Sequence, residues 1–181
     1  MERNLTFIAL FAALIAVLGL LPKLTLGFGV PITAQSLGVM LAGTVLGAKR
    51  GFLAALLFVG LAIVGLPILA GGRNGLEAIQ SPSVGFFLGF PIAAFVTGLV
   101  VERAKDMNIM IVGVIGSIIG GVVVLYILGV LGLAWKLEKT FAEALLLVTA
   151  FIPGDAVKAL LAGIATQAIY KARPNAVMSR T

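Results

Sequence analysis

The chain has 181 residues, 61% of them hydrophobic and 11% charged, with a net charge of +6 and a mean hydropathy of +1.19. A soluble domain of this length has too little interior to hide so much apolar surface, so the class is an all-α, polytopic membrane protein. With no cysteine and no histidine, the chain has no disulfide framework, no thiolate metal site and none of the commonest general base. Basic excess in such a chain belongs to cytoplasmic loops and does not point to nucleic acid.

A helical span takes ~20 mostly apolar residues. Six such runs follow one another, at 5–21, 32–46, 52–70, 83–101, 109–133 and 154–172, within a single integral membrane domain over 1–181. The first lies in "MERNLTFIALFAALIAVLGLL". It is read as a span because the apolar run is full length and no A-x-A-like cleavage site follows. It carries two overlapping small-xxx-small patterns, Ala9/Ala13 and Ala12/Ala16. Such faces let helices approach closely in lipid, within the bundle or against another subunit.

The second run is short. Thr33, Gln35 and Ser36 are polar at its head, and Gln35 either meets a ligand or faces a neighbouring helix. After the third run comes "AGGRNGLEAIQSPSVGFF", residues 70–87, where glycines permit close backbone approach. Arg73, Asn74, Gln80 and Ser81 bring donors and acceptors into that loop. The signal is the cluster and no single side chain in it. Trp135, the only tryptophan, sits at a predicted interface; it is either a belt anchor or a ring for stacking. In "TFAE" the S/T-x-x-E spacing predicts a capping box with Thr140 as N-cap and Glu143 as N3. A short helix over 141–151 follows, broken or kinked at Pro153-Gly154.

Next is "FIPGDAVKALLAG", residues 151–163. Asp155 and Lys158, at i and i+3, share one helix face. Ionised groups in a span cost ~2.5–3.5 kcal/mol each by insertion scales, so they face protein interior or water. They form either a self-satisfied ion pair or a pair that a ligand divides. In the second case Lys158 takes an anionic group and Asp155 accepts from N–H donors. A carboxylate joined to a cyclic urea suits both, but chemistry alone does not single out that ligand.

The loops set the orientation. With the N-terminus inside, the inner segments carry Arg3, Lys49, Arg50, Arg103, Lys105, Lys171, Arg173 and Arg180. The outer ones carry Lys23, Arg73, Lys136 and Lys139, with Lys158 left inside a span. The bias places both termini in the cytoplasm. The outer loops are longer and richer in Gly, Pro and polar residues, which favours ligand chemistry there. No G-x-x-x-x-G-K-[ST] run occurs, and the only acid inside a predicted span is Asp155. Uphill movement would draw on a partner ATPase rather than on an ion-coupled carrier of paired halves.

Three stretches together resemble the BioY proteins, the biotin-specific S components of energy-coupling-factor vitamin transporters: "VPITAQSLGVMLAGTVLGAKRG" at 30–51, "VGLPILAGGRNGLEAIQSPSVGFFLGFPIAAFVTG" at 64–98 and "FIPGDAVKALLA" at 151–162. The resemblance implies a six-helix bundle in the cell membrane of a prokaryote, binding one vitamin near the outer surface under capping loops. It implies that Asp155 and Lys158 are the family's Asp-x-x-Lys ligand pair and that Asn74 is a further ureido or carboxylate partner. Lys158 would take biotin's valerate carboxylate with help from Arg73, and Trp135 would join the apolar residues under the rings. The alanines of the first span resemble the small-residue face that S components set against their coupling subunit. Where the family's run is closer to "GPTGGY", this chain reads "SPSVGF" at 81–86.

The implied partners are biotin, a transmembrane coupling subunit, ABC-type ATPases that use ATP, and lipid, with a homo-oligomer left open. No cofactor is implied in this chain. The rival readings are an S component for another vitamin and a ligand-free structural membrane subunit. With no His, no Cys and one buried acid there is no catalytic set for an enzyme.

Overall fold

The computed structural model describes residues 2–25 and 27–180. The predicted domain over 1–181 also takes in Met1, Leu26 and Thr181, which lie outside the described residues. Apolar sequence gives α1 (Glu2–Leu18), α2 (Gln35–Leu46), α3 (Ala48–Ile63), a short α4 (Gly75–Gln80) and α5 (Val84–Arg103). After these come α6 (Ile109–Gly116) and α7 (Leu125–Leu137), joined through a π-helical stretch at Ser117–Val124, then α8 (Phe141–Val148) and α9 (Ile152–Ala172). A two-residue ladder, β1 (Leu24–Thr25) against β2 (Pro31–Ile32), links α1 to α2.

Several predicted boundaries move, for local reasons. The "GAKRG" corner is no loop. Gly47 alone, at φ 85°, turns the chain, and Ala48 through Gly51 already belong to α3. The Glu102 carboxylate accepts from the first free N–H there, that of Ala48, at 3.0 Å. The third run ends at Ile63 rather than at residue 70, because Gly65 takes φ 113° and Pro67 cannot continue a helix. The second run starts only at Gln35, since residues 31 and 32 are paired in the ladder. The predicted break at Pro153-Gly154 lies earlier, in a 3₁₀ turn at Thr149–Phe151. Pro153 then falls in the first turn of α9, where a missing N–H is harmless. The capping box is present as predicted: the Glu143 N–H donates to Thr140 Oγ1 at 3.3 Å, and the Thr140 N–H to Glu143 Oε2 at 2.8 Å.

α5 is the central strut and packs against α2, α3, α6, α7 and the π-helical stretch. Small residues set these distances, as in membrane bundles generally. A Cβ on Gly120 would lie 2.5 Å from the Thr97 amide nitrogen and 2.6 Å from the Ala93 carbonyl oxygen. Only glycine lets the wide π turn rest on α5. Phe58 and Phe90 stack their rings 6.2 Å apart in the core. The outside is apolar too, with Leu10, Leu56, Leu88, Ile118, Val123 and Leu160 exposed.

Among the described residues, three helices are long and apolar enough to cross a membrane: Val84–Arg103, Ile109–Leu137 and Phe141–Ala172. α1, α3 and α2 have 17, 16 and 12 residues. At 1.5 Å per residue α2 is only ~18 Å long, against ~30 Å of hydrocarbon. Its N-terminus therefore stops short of one end of the bundle and leaves a recess there.

Candidate binding site around Asp155 and Lys158

The recess is a cavity of about 630 Å³, part of it open to the exterior. Its floor is the start of α2 with Gln35 and Ser36, and its rim includes β2. Its walls are aromatic. Phe86, Tyr126 and Phe151 hold one another at ring separations of 6.3, 5.9 and 6.4 Å, all near edge-to-face, an arrangement aromatic pairs favour. Phe87 and Phe90 extend the same wall.

Asp155 and Lys158 project into this cavity from the first turns of α9. Asp155 sits where the helix dipole favours negative charge. Lys158 Nζ lies 2.8 Å from Asp155 Oδ1, with side-chain exposures of 14% and 8%. Ser36 bridges the pair. Its Oγ accepts from Lys158 Nζ at 3.0 Å and donates to Asp155 Oδ1 at 3.5 Å. The Tyr126 hydroxyl donates to Asp155 Oδ2 at 2.7 Å, a short bond of the charge-assisted kind. A carboxylate has about four acceptor positions and an ammonium three donors. Three acceptor positions and two donors are used here, leaving one of each for a ligand. Among the described residues these two are the only ionisable side chains lining the cavity besides the Tyr126 phenol.

The residues singled out from sequence divide sharply. Asp155, Lys158 and Gln35 come together at the cavity. Gln35, however, has spent its amide. Its Nε2 donates to the carbonyls of Ile15 at 3.2 Å and Ile68 at 3.1 Å, and its Oε1 accepts from the Ala70 N–H at 3.1 Å. It is a brace tying α2 to α1 and to the loop after α3. Lys23 adds to that brace by donating to the Ala70 carbonyl at 3.3 Å.

Asn74, Arg73 and Trp135 do not line the cavity. Asn74 caps α4, accepting from the Glu77 N–H at 3.0 Å. Arg73 adjoins the site only through its backbone bridge to Leu69, and its Nε is buried without a partner among the described residues. Trp135 is 71% exposed on the outer face of α7, with Lys136 Nζ 4.5 Å from its ring centre. Asn74→Ala should therefore cost about 1 kcal/mol of stability for the lost cap. Neither it nor Trp135→Ala should move ligand affinity more than about threefold in a calorimetric titration.

The small-residue face of α1 also divides. Ala12 is buried and Ala16 half-buried inside the bundle, while Ala9 and Ala13 are exposed. Tyr126 was not singled out from sequence. Its signal was a lone phenol in "IIGGVVVLYILGV", a run otherwise without a side-chain polar atom.

The BioY family pattern matches residues 2–175. The biotin transporter BioY of Rhodobacter capsulatus is 47% identical over 190 residues, covering 99% of this chain and 100% of that one. The biotin transporter BioY of Rhizobium etli is 47% identical over 178 residues, covering 95% of each. Among solved structures, the S-component for biotin from an ECF-type ABC transporter superposes with a TM-score of 0.87 at 31% identity, covering 94% of this chain and 92% of that one. Matched over nearly its whole length in both sequence and fold, the chain belongs to the BioY family.

Proposed function

We propose that this chain is the biotin-binding S component of a prokaryotic uptake system, seated in the cell membrane. The relatives named biotin transporter support the substrate. The observation that carries the reading in this chain is the aromatic-walled cavity holding one Asp, one Lys and little other charge. Biotin has a ureido ring with N–H donors fused to an apolar thioether ring, and a carboxylate at the end of an alkyl chain. The bicycle packs among Phe86, Tyr126 and Phe151. Lys158 meets the carboxylate and Asp155 a ureido N–H, with Ser36 and Tyr126 orienting the pair.

In this reading all six apolar helices (α1, α2, α3, α5, the Ile109–Leu137 helix and α9) belong to one membrane domain. Both termini lie in the cytoplasm and the cavity opens outward. α2 crosses only part of the hydrocarbon. Transport then draws on ATP hydrolysed by partner ATPases through a coupling subunit, and the exposed Ala9/Ala13 face of α1 is the close-approach surface for that subunit.

The test is a calorimetric titration of the purified chain in detergent with biotin, thiamine and riboflavin. One-to-one binding of biotin alone is the expected result. Binding of another vitamin in its place would keep the S-component reading and replace the substrate. Folded protein that binds none of them would sink it.

A further inference from the structure

The far end of the bundle carries a second, polar cavity of about 830 Å³, part of it open to the exterior. α9 has Asp155 in its first turn and Lys171 in its last, so the two cavities lie ~24 Å apart along that helix. Three separate segments converge on the second one. Lys105 comes from the α5–α6 connection, Tyr170 and Lys171 from the end of α9, and Arg180 from the tail. Among the described residues no acidic side chain lines it; Asp106 is next to Lys105 in sequence and exposed. Among the described residues the Lys158–Asp155 pair is the one salt bridge, so Lys105, Lys171 and Arg180 have no anionic partner there.

Arg180 is not a loose surface charge. Its guanidinium donates to the carbonyls of Ala104 and Met107, each at 3.1 Å, and to that of Lys105. Its Nε is buried without a partner among the described residues. The preceding tail residues Val177, Met178 and Ser179 are buried, and Ser179 Oγ donates to the Thr44 carbonyl at 2.5 Å. The tail thus fixes a cation at the base of the bundle. Beside it, Asn108 spends its Oδ1 on the α6 cap and keeps its amide N–H groups as donors. Gln167 of α9 adds a side-chain amide, and Met107 and Ile109 complete the lining with apolar surface.

We infer that this cavity binds a phosphate-bearing anion through Lys105, Lys171 and Arg180. Basic pockets between helices at one membrane surface take anionic headgroups, and a tyrosine such as Tyr170 sits readily at headgroup depth. Orientation signals need only basic residues in the right loops. They do not require three segments to meet at one cavity, nor one of the cations to be locked by carbonyls. Two sources share this chemistry: the headgroup of an anionic phospholipid, and free phosphate.

The test is thermal unfolding of the purified full chain in neutral detergent, with phosphatidylglycerol, phosphatidylcholine or inorganic phosphate added. Phosphatidylglycerol should raise Tm by several degrees more than phosphatidylcholine. The double variant Lys105→Gln/Lys171→Gln should lose that difference while keeping its response to biotin, which reports a folded protein. Inorganic phosphate producing the full shift would assign the site to the free anion. Equal responses to both lipids with none to phosphate would overturn the inference, as would a double variant that keeps the difference. The wild-type lipid comparison stands whether or not the variant folds and whether or not biotin is the vitamin bound. Native mass spectrometry of the wild-type chain should likewise retain phosphatidylglycerol over phosphatidylcholine.

Discussion

Lys158→Ala should weaken biotin binding at least ~30-fold, corresponding to about 2 kcal/mol or more for truncating one member of a buried hydrogen-bonded charge pair. It removes the cation offered to the carboxylate. It also strands Asp155, whose side chain is 8% exposed, with only Tyr126 and Ser36 as partners. An uncompensated buried charge costs about 3–5 kcal/mol, so the variant should also unfold at a lower temperature.

Asp155→Asn should be milder in stability, because the Lys158 left behind is more exposed, at 14%, and still donates to Ser36. It should weaken biotin because an amide N–H now faces the ureido donors. Tyr126→Phe should cost less than either, removing one bond to a charged acceptor worth about 1.5–3 kcal/mol. Calorimetry and thermal unfolding on the three variants and on Asp155→Ala/Lys158→Ala settle the matter. If the pair only satisfies itself, the double variant recovers stability and binds biotin like the parent. If the pair meets the vitamin, stability recovers in part and binding does not.

What could be read from sequence was what is local. The Thr140/Glu143 box and the i, i+3 placement of Asp155 and Lys158 depend on neighbours three residues apart. The partners of that pair are 29 and more than a hundred residues away, at Tyr126 and Ser36, and no spacing rule brings them together. Side-chain direction was the second obstacle. In a soluble helix a polar stripe tells the inner face from the outer. Here the outer face is apolar as well, with Leu131 and Trp135 exposed on α7 while Val130 and Leu133 are buried, so nothing in the sequence around Trp135 showed that it faces away from the cavity. The same ambiguity hid the division of the α1 alanines, where one four-residue pattern packs inward and the other outward. Helix ends followed apolar composition too closely. Gly47, Gly65 and Pro67 fix where α2 and α3 stop and start, and each lies inside or beside an apolar run.

Gln35→Ala should destabilise the protein by about 2–4 kcal/mol, because it leaves the carbonyls of Ile15 and Ile68 and the N–H of Ala70 without the partner they now have. At roughly 2–4 °C per kcal/mol for a chain of this size, Tm should fall by about 4–16 °C. Gln35→Glu should be at least as damaging, since it presents a carboxylate oxygen to two carbonyls. Biotin affinity, measured well below the transition, should change less than tenfold. Gln35 lines the cavity, but its amide is directed at backbone, and the vitamin would feel its loss only through Leu69, the cavity residue carried on the loop that Gln35 holds. A direct ligand contact predicts the reverse pattern, with Tm nearly unchanged and affinity falling as far as in Lys158→Ala. That pattern would move Gln35 from the frame of the site into the site itself. It would mean that the loop carrying Ile68 and Ala70 opens when the vitamin arrives and frees the amide to meet it.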